Sequence, residues 1–167
     1  MPKFLMTELV NTSTITARLG AGTGAANNLN DITERGKAVK LIAESRYGLA
    51  VFGDELETWI DSINTATSDG YSVGALADPI GAGKFKKVTF DGIQATPGAG
   101  AAMVIGDYVL VGTVVAKDIA LTEPLRVTKA TSQAGAKATP FAWRVVSLGS
   151  AGTGALGTTG LIQRVGA

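Results

Sequence analysis

Gly106-Asp107-Tyr108-Val-Leu-Val-Gly-Thr-Val-Val115 opens on a turn dipeptide and continues in β-branched and aromatic residues, which reads as a strand. The same punctuation recurs on both sides of it. Downstream, Lys117-Asp118 marks a turn, and Leu125-Arg-Val-Thr128 follows Pro124, which suits an edge or first position in a sheet. Trp143-Arg-Val-Val-Ser147 follows Pro140, and Leu161-Ile-Gln-Arg-Val165 is the last strand. Upstream, Gln94 to Ala102 is rich in Gly and Ala and contains Pro97, as expected of a loop or linker. Before it, Lys86-Lys-Val-Thr-Phe90 is a strand ended by Asp91-Gly92, and Tyr71, Val73 and Ala75 alternate with Ser72, Gly74 and Leu76. Val39 and Leu41 flank Lys40, and Tyr47, Leu49 and Val51 alternate with Gly48 and Ala50, so strands are expected over 38–43 and 46–52 around Glu44-Ser45.

One segment has two readings. After the Gly53-Asp54 turn, Leu56, Thr58 and Ile60 share one face of a strand and Glu55, Glu57, Trp59 and Asp61 the other. Leu56, Trp59, Ile60 and Ile63 also fit helical spacing. The strand is preferred. Short strands about ten residues apart, separated by Gly, Asp and Pro turns, predict an all-β protein built as a small barrel or sandwich. The Gly-Asp turns at 53–54 and 106–107 suggest two β-modules, 31–92 and 103–167, joined by a linker at 93–102, or one continuous domain.

Residues 1–30 read differently. Phe4, Leu5, Met6, Leu9 and Val10 form a short apolar patch, followed by a Thr-rich run and by Gly20-Ala-Gly-Thr-Gly-Ala-Ala-Asn-Asn28. Such a stretch has little to bury and is expected to be an N-terminal arm that orders against a partner. On that reading, deleting residues 2–28 leaves a folded domain.

Composition narrows the chemistry. The 167 residues include no His and no Cys. Disulfides, thiolate metal sites and cysteine nucleophiles are thereby excluded, and the commonest general base and metal ligand is missing. The net charge of +1 provides no strong field for nucleic acid. The charge is unevenly spread: residues 1–83 hold 6 basic and 10 acidic side chains, residues 84–167 hold 9 and 4. No apolar run is long enough to span a membrane as a helix.

Four local features could carry function. Gly20-x-Gly-x-Gly24 has neither the spacing nor the flanking strand and helix of a dinucleotide loop and reads as a hinge. Asp54, Glu55, Glu57 and Asp61 could hold a hard cation or act as an acid/base pair, but a solvated acidic face is the better reading. Lys84, Lys86 and Lys87, with Phe85 between them, could touch a partner or simply guard a strand edge. Trp59 and Trp143 are expected as core or interface anchors, Trp143 in the core and Trp59 in the core or a subunit contact. The candidate partner-binding residues are therefore Phe4, Leu5, Leu9, Val10, Trp59, Lys84, Lys86 and Lys87. No catalytic residue, metal site or cofactor is expected.

Lys40-Leu-Ile-Ala-Glu-Ser-Arg-Tyr-Gly-Leu-Ala-Val-Phe-Gly-Asp-Glu-Leu-Glu57, with Ala66-Thr-Ser-Asp-Gly-Tyr-Ser-Val-Gly74, resembles small structural proteins of tailed bacteriophages. The C-terminal half, with Gly106-Asp107-Tyr-Val and many Ala/Val/Gly strands, is similar in style to their capsid cement (decoration) proteins. The resemblance implies a β-rich protein on the outside of a virion capsid, made in the host cytoplasm. It implies the major capsid protein as partner and a homo-oligomer, most often a trimer, at threefold positions. It implies no catalytic residues. A tail, fibre or head–tail adaptor subunit is the alternative of the same kind. A carbohydrate-binding β-module stacking sugars on Trp59 or Trp143 is the alternative of another kind.

Overall fold

The computed structural model describes residues 14–20, 34–43, 46–66, 72–77, 83–93, 96–97, 102–113 and 125–165. Phe4, Leu5, Leu9 and Val10 lie outside them. The chain is mostly β, as the strand spacing predicts. Its first five strands are β1 (Thr14–Leu19), β2 (Ala38–Ala43), β3 (Arg46–Leu49), β4 (Thr58–Ala66) and β5 (Ser72–Ala77). They form a closed barrel in the order β1-β3-β2-β4-β5, with β1 parallel to β3 and antiparallel to β5.

The second sheet comprises β6 (Phe85–Ile93), β7 (Thr96–Pro97), β8 (Tyr108–Val111), β9 (Arg126–Lys129), β10 (Trp143–Ser147) and β11 (Thr159–Arg164). Its order is β11-β10-β8-β9-β6-β7, and β11 also pairs with β6. That pairing closes five strands into a second ring. Between β9 and β10 lies one short helix, α1 (Gln133–Lys137), capped by the Ser132 hydroxyl on the Gly135 N–H.

The two rings have the same topology. In each, the first strand runs parallel to the third, and the third, second, fourth and fifth follow in antiparallel order back to the first. The registers correspond as well. Ala38 and Val39 pair with Trp59 and Thr58, as Tyr108 and Val109 pair with Arg144 and Trp143. Arg18 and Leu19 face Arg46 and Tyr47, as Thr89 and Phe90 face Arg126 and Val127. Each fourth strand carries a bulge at the same place, between Ile60 and Ser62 and between Val145 and Ser147. Gly74 and Gly160 are equivalent, and both sit where a Cβ would strike the backbone oxygen of the matching serine, Ser62 or Ser147.

Buried side chains follow the same correspondence. Leu19, Val39, Ile60 and Leu76 fill the first barrel, and Phe90, Val109, Val145 and Ile162 occupy the matching positions of the second. The second core does not stop at its own barrel. Ala38, Ala50, Leu56, Trp59 and Ala77 from the first half pack into it, so one apolar body joins the two rings.

Three expectations are corrected here. Thr14–Leu19 is not arm: it pairs with β5 over six residues and buries Leu19 completely. The break between modules falls after β5 and before β6, because the 86–90 strand pairs with β9 and β11; the expected linker region includes the end of β6 and its partner β7. The two Gly-Asp turns do not mark equivalent places. Gly106-Asp107 leads into a second strand, whereas Gly53-Asp54 lies between a third and a fourth.

Candidate functional site

The seam between the barrels gathers most of the residues singled out above. It is built by a recurrent turn. Gly36, Gly53 and Gly106 have φ of 86°, 85° and 99°, a left-handed conformation that glycine adopts without strain. Each turn is closed by an N–H of the following residue on the carbonyl three residues back: Lys37 to Glu34, Asp54 to Val51 and Asp107 to Val104, at 3.0–3.1 Å. Each then grips one residue of another strand from both sides. The Gly36 N–H and Lys37 carbonyl bracket Ile60, and the Gly106 N–H and Asp107 carbonyl bracket Val145, within their own barrels. The Gly53 N–H and Asp54 carbonyl bracket Val111, which belongs to the other barrel (2.8 and 2.9 Å). The third grip thus fastens the first half to the second.

The following residues extend that attachment. Glu55 Oε1 accepts the Phe141 N–H at 2.8 Å, and the Leu56 carbonyl accepts the Trp143 indole N–H at 2.8 Å. Trp59 meets Trp143 edge to face with centroids 5.9 Å apart, and the Lys86 ammonium stands 5.0 Å from the Trp59 ring centroid. Residues 54–57 are not a strand; β4 begins at Thr58, whose hydroxyl donates to the Ala77 carbonyl. From there Ile60 faces the interior of the first barrel and Trp59 faces the shared core, so consecutive residues are both buried. Trp59 is 6% exposed and Trp143 2%, which places Trp59 in the core rather than at a partner surface.

The acidic residues do not converge. Asp54 Oδ2 accepts the Val51 N–H at 2.8 Å and pairs with Lys40 at 2.7 Å. Glu57 Oε2 accepts the Leu41 N–H at 3.0 Å. Asp61 is exposed. No group of three or more possible metal-ligating side chains occurs among the described residues. Asp54, Glu55 and Glu57 serve as acceptors for backbone N–H groups. Burial raises the Glu57 carboxyl above its usual range, the Leu41 N–H opposes this, and Glu55 reinforces it. Burial also raises the Tyr47 phenol, with Glu57 adding to the effect.

A pH dependence follows from Glu57. Because its native pKa is raised, the folded state takes up a proton before the unfolded chain does. The resulting stabilisation is full below the ordinary carboxylate value and is lost as pH rises through the raised native value. Urea midpoints for wild type and Glu57→Gln, measured from pH 4 to 7, should therefore diverge, with wild type gaining on the variant as pH falls. Glutamine keeps an oxygen for Leu41, so the comparison isolates the charge.

The lysines are also dispersed. Lys86 and Lys87 are neighbours on β6 and point to opposite faces: Lys86 covers Trp59, while Lys87 is exposed. Lys84 precedes the strand, and its carbonyl accepts the Arg164 N–H at 2.8 Å. Lys86 and Lys87 therefore do not share one basic face. Lys87 lines a cavity of about 270 Å³ with Ser147, Gly149, Ser150, Thr159, Gly160 and Leu161, open to solvent on the second barrel.

Asp107 combines two tasks. Its Oδ2 accepts the Val104 N–H at 2.9 Å and pairs with Lys129 at 2.9 Å, with only 9% of the side chain exposed. Asp107→Val would leave the Val104 N–H without its acceptor and break the partly exposed pair with Lys129, at a cost of roughly 1–2 kcal/mol. Chemical denaturation should show that loss.

Sequence reading missed the seam because its parts are distant along the chain: Glu55 and Phe141 are 86 residues apart. The repeated Val-x-Gly-Asp at 51–54 and 104–107 is the signal that could have found it. No family model, no curated protein and no solved structure matches this chain.

Proposed function

We propose that this chain is a non-enzymatic structural subunit of a virion, bound to the outside of a phage capsid and strengthening contacts between major capsid subunits. The observation that carries the reading is the use made of the reactive side chains. Asp54, Glu55, Glu57 and Asp107 hold backbone N–H groups, and both tryptophans are buried in the seam. Glu55 joins the two like barrels directly, and Asp54, Glu57 and Asp107 brace turns and strands within one barrel or the other. The joined barrels present broad faces to neighbours, and repeated weak contacts on a symmetric lattice add up through multivalency. The resemblance to capsid cement proteins points the same way. Partners are then the major capsid protein and further copies of the chain.

A tail or fibre subunit would use the same architecture. Immunogold labelling of particles separates the two: signal spread over the icosahedral faces supports cement, and signal at one vertex supports the tail. The carbohydrate-binding alternative loses its basis, since neither Trp59 nor Trp143 offers a ring face for stacking a sugar.

A further inference from the structure

We infer that the stretch of β2 beyond its pairing with β4, at Leu41 and Ile42, is the docking site for a second copy of this chain, taken up head to tail by the second barrel of that copy. The inference extends the oligomer part of the reading above and stands without the capsid part.

The internal duplication supplies the argument. Leu41 in the first barrel corresponds to Val111 in the second, because the registers of β2 with β3 and of β8 with β9 match pair for pair. The two positions are treated differently. Val111 is 2% exposed, and its N–H and carbonyl are both engaged by Gly53-Asp54 of the other barrel. Leu41 is 52% exposed and Ile42 49%, and the Leu41 N–H is met by the Glu57 carboxylate rather than by a strand. The first barrel thus presents to solvent the edge at which the second barrel receives its neighbour. Large apolar side chains at an exposed strand edge are a template for association.

The occupant follows from the same operation. Within one chain, the connection between β3 and β4 of the first barrel seats on the second. The corresponding connection in the second barrel runs from Ala130 to Ala142 and contains α1, with Ala134, Lys137 and Ala138 exposed. Repeating the internal relation brings that connection of one copy to this stretch of β2 in the next. Charge disfavours contact between two second barrels. Among the described residues the first barrel holds five basic and five acidic side chains, and the second seven and two. The positive second barrel repels its own kind and meets no such repulsion at the neutral first barrel. The contact is heterologous, so it closes into a ring or continues as a filament.

The test is made on the purified chain without capsids. Light scattering coupled to gel filtration at tens of micromolar should give an oligomer for wild type and a monomer for Leu41→Asp, with an unchanged far-UV spectrum. A monomeric wild type overturns the inference, and so does an oligomer that survives Leu41→Asp. Cross-linking fixes the geometry, because the chain has no cysteine of its own. Ile42→Cys and Ala138→Cys should form an intermolecular disulfide when the two variants are mixed, and neither should do so alone. Linkage of Ile42→Cys to itself would show a symmetric contact and overturn the head-to-tail arrangement. Capsid attachment plays no part in these outcomes, so they succeed or fail separately from it.

Discussion

Leu19→Asp is expected to unfold the first barrel, and deletion of residues 2–28 should do the same. Leu19 is fully buried among Ala17, Val39, Ile60 and Leu76. A carboxylate there would lose its hydration with no partner in the apolar interior, which costs several kcal/mol and is comparable with the stability of a whole domain. Deletion removes β1 altogether, and with it the pairing to β5 that closes the ring. Because Trp59, Leu56 and Ala77 tie this barrel into the shared core, the damage should reach the second barrel too. Circular dichroism and limited proteolysis check both variants. A cooperative transition at the wild-type temperature after the deletion would restore the view of residues 1–30 as a dispensable arm.

Gly160→Val should be nearly as severe, at roughly 3 kcal/mol or more. A Cβ at this position would lie 2.7 Å from Phe90 Cε2 and would strike the Ser147 carbonyl oxygen. Phe90 is fully buried and cannot swing away, and the Ser147 carbonyl belongs to the bulged end of β10, which is paired to β11. Gly74→Val makes the equivalent test in the first barrel, where a Cβ would lie 2.8 Å from Leu19 Cδ1 and strike the Ser62 carbonyl oxygen. The two variants should lose similar amounts of stability in urea, because the same contact is made twice. A tolerated Gly160→Val would mean that β6 and β11 are not in the register that closes the second ring.

Much of this fold is legible in the sequence. The strands at 38–43, 72–77, 108–111 and 143–147 sit where turn residues and alternation place them. Thr14–Leu19 reads as arm for an identifiable reason. Ile15, Ala17 and Leu19 do alternate with Thr14, Thr16 and Arg18, but the Gly-rich stretch beside them dominates the composition. Its partner β5 begins more than fifty residues later, so the closure is invisible to any local window. Trp59 shows a second limit. Period-2 logic assigns one buried face to a strand, whereas β4 has a barrel interior on one side and a second barrel on the other. The acidic residues 54–61 read as a cluster in sequence and are dispersed in space, because Asp54, Glu55 and Glu57 each reach a different backbone N–H.

The duplication gives the functional reading its physical content. One barrel has one outer surface to offer; two joined through Val111, Trp59 and Trp143 hold two such surfaces at a fixed separation. Rigid spacing removes the entropy loss of ordering a linker on binding. A subunit that works by bridging neighbours benefits from that arrangement.

The most direct measurement is the heat stability of tailed-phage particles assembled with and without this chain, followed by the temperature at which their DNA becomes accessible to an intercalating dye. Particles carrying the chain should hold their DNA to a higher temperature, and adding purified protein to stripped particles should restore the difference. Equal release temperatures, with the protein demonstrably bound, would contradict the account.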